Sequence, residues 1–284
     1  MDLVLSVLEQ GLIYGIMALG VYISYHILDF PDLSVDGTFP LGAAVTASLL
    51  VAGVNPWLCL VLSFFAGAAA GCVTGLLHVK LKIKNLLSGI LTMTALYSIN
   101  YRIAGAPNLF LIGERSIFDA AKSSPYLSVA IVLVLAVAAK LLLDWYLKTK
   151  SGFLLRATGN NAQLVTSLGK DAGYVKIIGL AISNGLVALA GAVNCQKIMQ
   201  FDISSGVGTI VMGLAAVIIG MTLLGRVSFV RGTTAVLVGA VLYKACIMAA
   251  MLLGFESSDM NLIIVVLFLL TLVLGDRFKK KGEF

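Results

Sequence analysis

Nine apolar runs dominate this chain of 284 residues, at 3–27, 38–54, 57–78, 86–104, 126–147, 174–198, 206–225, 233–254 and 260–275. A helix needs about 20 apolar residues to cross the hydrocarbon core of a bilayer, and most of these runs reach or approach that length. Hydrophobic residues make up 60% of the chain and charged residues only 12%, against about 25% charged in soluble domains. Too few polar side chains remain to coat a water-facing surface, which excludes a soluble globular enzyme and a disordered chain alike. The polar alternation of a membrane β-barrel is missing, whereas the richness in Gly and Ala suits closely packed helices. The sequence therefore predicts an all-α, polytopic membrane protein of about eight to nine transmembrane helices.

Charge placement orients those helices. The net charge of +6 is no nucleic-acid footprint, because most of the 20 basic residues fall at segment ends. Lys80, Lys82 and Lys84 mark one cytoplasmic connection, and Lys148, Lys150, Arg156, Lys170 and Lys176 a second. Arg226 and Arg231 mark a third, and Arg277, Lys279, Lys280 and Lys281 place the C-terminus inside under the positive-inside rule. Opposing connections are acidic or balanced: Glu114/Arg115/Asp119/Lys122, Lys197/Asp202 and Glu256/Asp259. Nine crossings counted back from a cytoplasmic C-terminus put the N-terminus outside; the alternative keeps it inside and makes 28–54 re-entrant. The first residues, Met1-Asp2-Leu3, lack the basic stretch and cleavage site of a signal peptide.

One break interrupts the apolar pattern near the start. Residues 29–38 read Asp-Phe-Pro-Asp-Leu-Ser-Val-Asp-Gly-Thr, three carboxylates with no Lys or Arg nearby. On a lipid-facing helix each central Asp would cost about 2.5–3.5 kcal/mol. The segment is therefore either an acidic loop, with Ser34 or Asp36 capping the following helix, or a broken or re-entrant stretch of non-helical backbone at membrane depth and shielded by protein. In the second reading Phe30, Asp32, Ser34, Asp36 and Thr38 face a transport pathway. Lys244, inside the 233–254 run, is a further pathway candidate because an ionisable residue at such depth is functional by default. Its long stem also allows snorkelling toward the outer face.

The longest cytoplasmic connection, 148–173, carries its own short helix. Ser151 and Gly152 break the preceding span, Asn160 and Asn161 open a helix over about 160–168, and Gly169 stops it. Leu164, Val165 and Leu168 give that helix an apolar stripe, to lie on anionic lipid or to dock a cytosolic partner.

Several motifs resemble one transporter family. The run Ser151-Gly152-x3-Arg156-Ala157-x2-Asn160-Asn161, followed by Gly169, resembles the cytoplasmic loop of ABC importer permeases of the branched-chain amino acid, ribose and nucleoside type. Gly11-x2-Tyr14-Gly15-x2-Ala18-Leu19-Gly20, the Asp29–Gly37 turn and Gly42-Ala43 look like the N-terminal signature of the same family. Ser183-x3-Val187-Ala188-x2-Gly191 and Gly206–Gly225 extend the likeness over most of the chain. Where that family usually has Asn-Phe-Ala-His-Gly, this chain has Asp-Phe-Pro-Asp-Leu-Ser-Val-Asp-Gly, which resembles the branch paired with tryptophan- or tyrosine-type binding proteins.

The resemblance implies a single permease domain over 1–284 with a cytoplasmic coupling loop at 148–173, in a bacterial inner or plasma membrane. It implies a pathway formed with a second copy, in a homodimer, and substrate delivered by an extracytoplasmic binding protein or lipoprotein. It also implies a cytosolic ATP-binding cassette ATPase docked through Arg156, Ala157, Gly159, Asn160, Asn161, Leu164, Leu168 and Gly169. No Gly-x4-Gly-Lys-Ser/Thr loop is present, so the chain has no phosphate cradle of its own. ATP and magnesium belong to the partner, and no cofactor is expected on this chain.

Other residues point away from catalysis. Cys59, Cys72, Cys195 and Cys246 form no CxxC pair, and His26 and His78 are far apart at helix ends, so no metal site is expected. No Ser-His-Asp set or HExxH helix appears. The competing function is an ion-coupled secondary transporter using Asp32, Asp36 or Lys244.

Overall fold

A computed structural model describes residues 2–121, 125–225 and 230–253, together with the helical positions 266 and 269. Helix α1 spans Asp2–Val21 and continues through a π-helical turn, Tyr22–Ile27. Irregular chain follows, with Asp29 in the left-handed region at φ 52° and a turn at 33–34, before α2 begins at Val35 and runs to Val51. Helix α3 covers Pro56–Val79, started by Pro56 and by the Asn55 side chain, which accepts from the Trp57 N–H. Helix α4 covers Asn85–Ala104 and ends at left-handed Gly105. Helices α5 (Pro125–Tyr146), α6 (Lys150–Asn160), α7 (Ala162–Ser167), α8 (Ala172–Ile198), α9 (Thr209–Leu224) and α10 (Gly232–Leu252) complete the described bundle. A two-stranded antiparallel ribbon pairs β1 (Asn108–Phe110) with β2 (Gln200–Asp202), setting Leu109 opposite Phe201.

Six of these segments are long and apolar enough to cross a membrane, and Val35–Val51 is a shorter apolar helix. Helix α4 is long enough but less apolar, and the expected run 260–275 lies outside the described residues except at 266 and 269. The expectation of eight to nine spans thus stands at six spans and one shorter apolar helix among the described residues.

Small residues hold the bundle together. Gly67 and Gly71 of α3 lie against the α8 backbone at Asn184 and Leu180, so the two helices touch main chain to main chain. Gly42 of α2 meets Ala188 of α8 in the same way. Gly11 and Gly15 of α1 admit Val241 and Leu237 of α10. Helix α8 is the centre of this arrangement, with 67% of its most apolar window buried, whereas α5 at 28% lies on the periphery.

The contacts define two ends. At one, Gly159 packs on the Ile27 carbonyl, Gly173 on Val79 and Arg231 on Asp144. This basic end gathers the connections that carry Lys80–Lys84 and Lys148–Lys176. At the other, the ribbon end, Gln196 bonds to Ser116, Ile117 and Pro56, and Lys197 pairs with Glu9 of α1. The N-terminal part of α1 therefore lies at the end opposite the basic connections.

One local expectation is corrected. Residues 150–160 form a helix, and the short helix expected over about 160–168 is α7, confined to 162–167. Thr149 caps α6 by accepting from the Gly152 N–H, and Gly152, lacking a Cβ, lets α6 fold back against Tyr146 and Leu147. Ser151 and Gly152 thus belong to a new helix instead of ending the old one.

Candidate functional site

Within the acidic break, Asp32 and Ser34 are buried beside the middle of α8, whereas Asp29 and Pro31 are exposed. Asp32 is only 1% exposed, and Asn184, its partner, is fully buried. One Asp32 oxygen accepts from the Ser34 N–H at 2.9 Å and the other from Asn184 Nδ2 at 2.8 Å. The Ser34 hydroxyl donates to Asn184 Oδ1 at 3.1 Å, which closes a three-residue ring of hydrogen bonds. Asn184 is the thirteenth of the 27 residues of α8, so the ring is level with the centre of a spanning helix. This is non-helical backbone enclosed by protein, the arrangement that tolerates such a segment within a bundle. Thr38 donates to the Ser34 carbonyl at 2.9 Å, and buried Phe30 meets the His78 ring edge-on at 5.2 Å.

Asp36 belongs to a second group. Its carboxylate accepts from the Thr209 hydroxyl at 2.9 Å, the Ile210 N–H at 2.8 Å and the Gly208 N–H at 3.2 Å. The same residue lies in the first turn of α2. One negative charge therefore neutralises the exposed N–H groups of α9 while favouring the start of α2. Gly206 makes the junction possible by fitting against the Asp36 carbonyl and Pro40.

Lys244 forms a third group, on α10. Its ammonium sits 3.8 Å from the centre of the Tyr14 ring, and Tyr14 stacks on Phe39 at 5.8 Å. Among the described residues no carboxylate lies within ion-pair distance of Lys244. Phe39 is one turn from Asp36, so the second and third groups are neighbours through α2. Sequence reasoning found Asp32, Ser34 and Asp36 but missed Asn184 and Thr209. Neither has a local signal, since each partner stands about 150 or more positions away.

At the basic end the coupling candidates fall into two classes. Asn161 caps α7, accepting from Gln163 and Leu164 N–H groups at 3.0 and 3.2 Å, and Gly169 turns the chain away at φ 70°. Gly159 and half-buried Ala157 face the body of the protein, with Gly159 against the Ile27 carbonyl. Arg156 and Asn160 are exposed. Val165 is fully buried and anchors α7, while Leu164 and Leu168 are 52% and 64% exposed. These two leucines are four residues apart, on one side of the chain. Leu164 on α7 and Leu168 just past its end thus leave two large apolar side chains exposed at the basic end.

Comparisons with known proteins agree on one family. A family model described as the permease component of the branched-chain amino acid transport system matches residues 3–274. A tyrosine transport system permease protein of Clostridioides difficile is 45% identical over 273 residues, covering 96% of this chain and 91% of that protein. The ribose import permease protein RbsC of Haemophilus influenzae is 26% identical over 98% of this chain and 85% of its own length. Among solved structures, PsaBC from Streptococcus pneumoniae in complex with Fab aligns with a TM-score of 0.54 over 93% of this chain and 89% of that one. At 13% identity it shares the fold.

Proposed function

Because the chain belongs to the family of branched-chain amino acid transport system permease components, we propose that it is the membrane subunit of an ATP-driven importer of an amino acid with an aromatic side chain. It is a transport subunit and not itself an enzyme. The observation that carries the substrate class is the 45% identity to a tyrosine transport permease along almost the whole chain. The basic end faces the cytoplasm of a bacterial cell and the ribbon end faces outward, following the distribution of Lys and Arg.

In this reading the ATPase, with its ATP and magnesium, docks on α6 and α7 through Leu164 and Leu168, flanked by Arg156 and Asn160. A displacement of α6 passes through Gly159 to the Ile27 carbonyl. From there it reaches the irregular segment that ends in the Asp32–Asn184 ring. A binding protein delivers substrate at the ribbon end, and a second copy completes the pathway. The ion-coupled alternative finds little support in the carboxylates, since Asp32 and Asp36 already accept hydrogen bonds at both oxygens.

Purified permease, ATPase and binding protein, reconstituted together, test the proposal. Tyrosine-loaded binding protein is expected to raise ATP hydrolysis and drive uptake. Uptake that persists without the ATPase would refute it.

A further inference from the structure

A cavity of about 410 Å3 opens at the ribbon end, between the first turns of α1, the start of α5 and the end of α8. That is within the usual range of small-molecule sites, about 300–1,000 Å3. Three charged side chains line it: Asp119, whose carboxylate accepts from the Ser116 N–H at 2.8 Å, and the ion pair of Lys197 and Glu9, with Lys197 Nζ 2.7 Å from Glu9 Oε2 and side chains 31% and 11% exposed. The Lys197 ammonium also donates to the Ser128 hydroxyl at 2.6 Å and stands 5.3 Å from the centre of the Phe118 ring. The wall behind is fixed, because the Gln196 side chain is held by the Ile117 N–H and the Pro56 carbonyl.

A closed ion pair in a cavity selects by charge. A simple anion would take Lys197 and leave buried Glu9 without its partner, and a simple cation would do the reverse; either outcome is costly. A zwitterion avoids both penalties. Its carboxylate takes Lys197 and Ser128, its ammonium takes Glu9, and both members of the pair keep an opposite charge. We propose that this cavity is a binding subsite for a zwitterionic α-amino acid at the outward end of the pathway. The inference rests on the reading of the chain as an amino acid permease and adds a recognition step on the permease itself, after delivery by the binding protein.

Isothermal titration of the permease in phosphatidylglycerol nanodiscs tests it with three ligands. L-Tyrosine carries both charges, tyramine lacks the carboxylate and 3-(4-hydroxyphenyl)propionate lacks the ammonium. Tyrosine is expected to bind saturably, and each analogue about tenfold more weakly or worse. The double variant Glu9→Lys with Lys197→Glu separates recognition from architecture. It is expected to recover the melting temperature lost in Glu9→Gln or Lys197→Met, because an ion pair can reform, yet to bind tyrosine about tenfold more weakly. Equal binding of all three ligands, or wild-type tyrosine affinity in the exchanged pair, would overturn the subsite. So would absence of tyrosine binding in a permease whose assembled complex still imports tyrosine. Absence of both binding and import would overturn the amino acid reading as well.

Discussion

The Asp36 carboxylate and the Thr209 hydroxyl, 173 positions apart, meet at 2.9 Å where two helices begin. Asp36 is in the first turn of α2, and Thr209 opens α9. Removing the carboxylate leaves the Gly208 and Ile210 N–H groups without their acceptor inside the bundle. Loss of a helix cap costs about 0.5–2 kcal/mol, and loss of a favourable charge at a helix start about 0.3–1 kcal/mol more. Asp36→Ala is therefore expected to melt well below the wild type in detergent, with Asp36→Asn in between. An alanine variant with wild-type thermal unfolding would contradict this role.

Helix α3 approaches α8 so closely at Gly71 that a side chain there would run into the Leu180 carbonyl. Gly71→Val is expected to lower the yield of folded protein sharply, by overpacking of about 1–3 kcal/mol or more. Gly53→Ala is the control. It lies in open space at φ 75°, so it bears only backbone strain, about 1 kcal/mol. Size-exclusion profiles of the two variants compare them, and equal profiles would show that the α3–α8 approach is not limiting.

Much of the fold was legible in the sequence because membrane solvation is a length-and-composition effect. The runs at 57–78, 126–147 and 174–198 coincide with α3, α5 and α8 to within two residues or so at each end. The break at 29–37 was visible for the same reason, since three aspartates have no place on a lipid-facing helix. Its enclosure was not visible, because Asn184 is chosen by tertiary packing alone. The ribbon escaped too: Asn108–Phe110 and Gln200–Asp202 are three-residue strands with no alternation to read. Helix α6 was hidden by Ser151 and Gly152, which read as breakers while in fact serving a close turn against Leu147. Lys197 reads in the sequence as part of a balanced connection with Asp202; Glu9, far away in the chain, makes it half of an ion pair.

Asp144 joins α5 to the start of α10 at the basic end. It accepts from the Thr233 hydroxyl at 2.6 Å and from Arg231 at 2.9 Å, and pairs with Lys140 at 3.2 Å. Because Arg231 is 55% exposed, solvent screens part of that pair. The buried threonine bond and the lysine remain, and Asp144→Ala is expected to destabilise by about 1–3 kcal/mol. Chemical denaturation of the variant checks the value; Asp144→Asn, which keeps the threonine contact, should lose less.

Lys244 pairs with no carboxylate among the described residues and rests on Tyr14. A cation–π contact of this kind contributes about 0.5–2 kcal/mol, which is offset in Lys244→Met by relief of a charge buried among apolar helices. Thermal stability is therefore expected to stay near wild type, while uptake falls if the ammonium serves the pathway. Unchanged uptake would assign Lys244 to packing alone.

The exposed pair Leu164 and Leu168 tests the central claim most directly. Neither is part of the core, so Leu164→Glu with Leu168→Glu is expected to fold and melt as the wild type does. Radiolabelled tyrosine uptake into proteoliposomes holding permease, ATPase and binding protein is the decisive measurement. The account predicts ATP-dependent uptake by the wild type and its near-complete loss in the double variant, with the ATPase no longer co-purifying. Undiminished uptake by the variant, or uptake by the wild type without ATP, would contradict it.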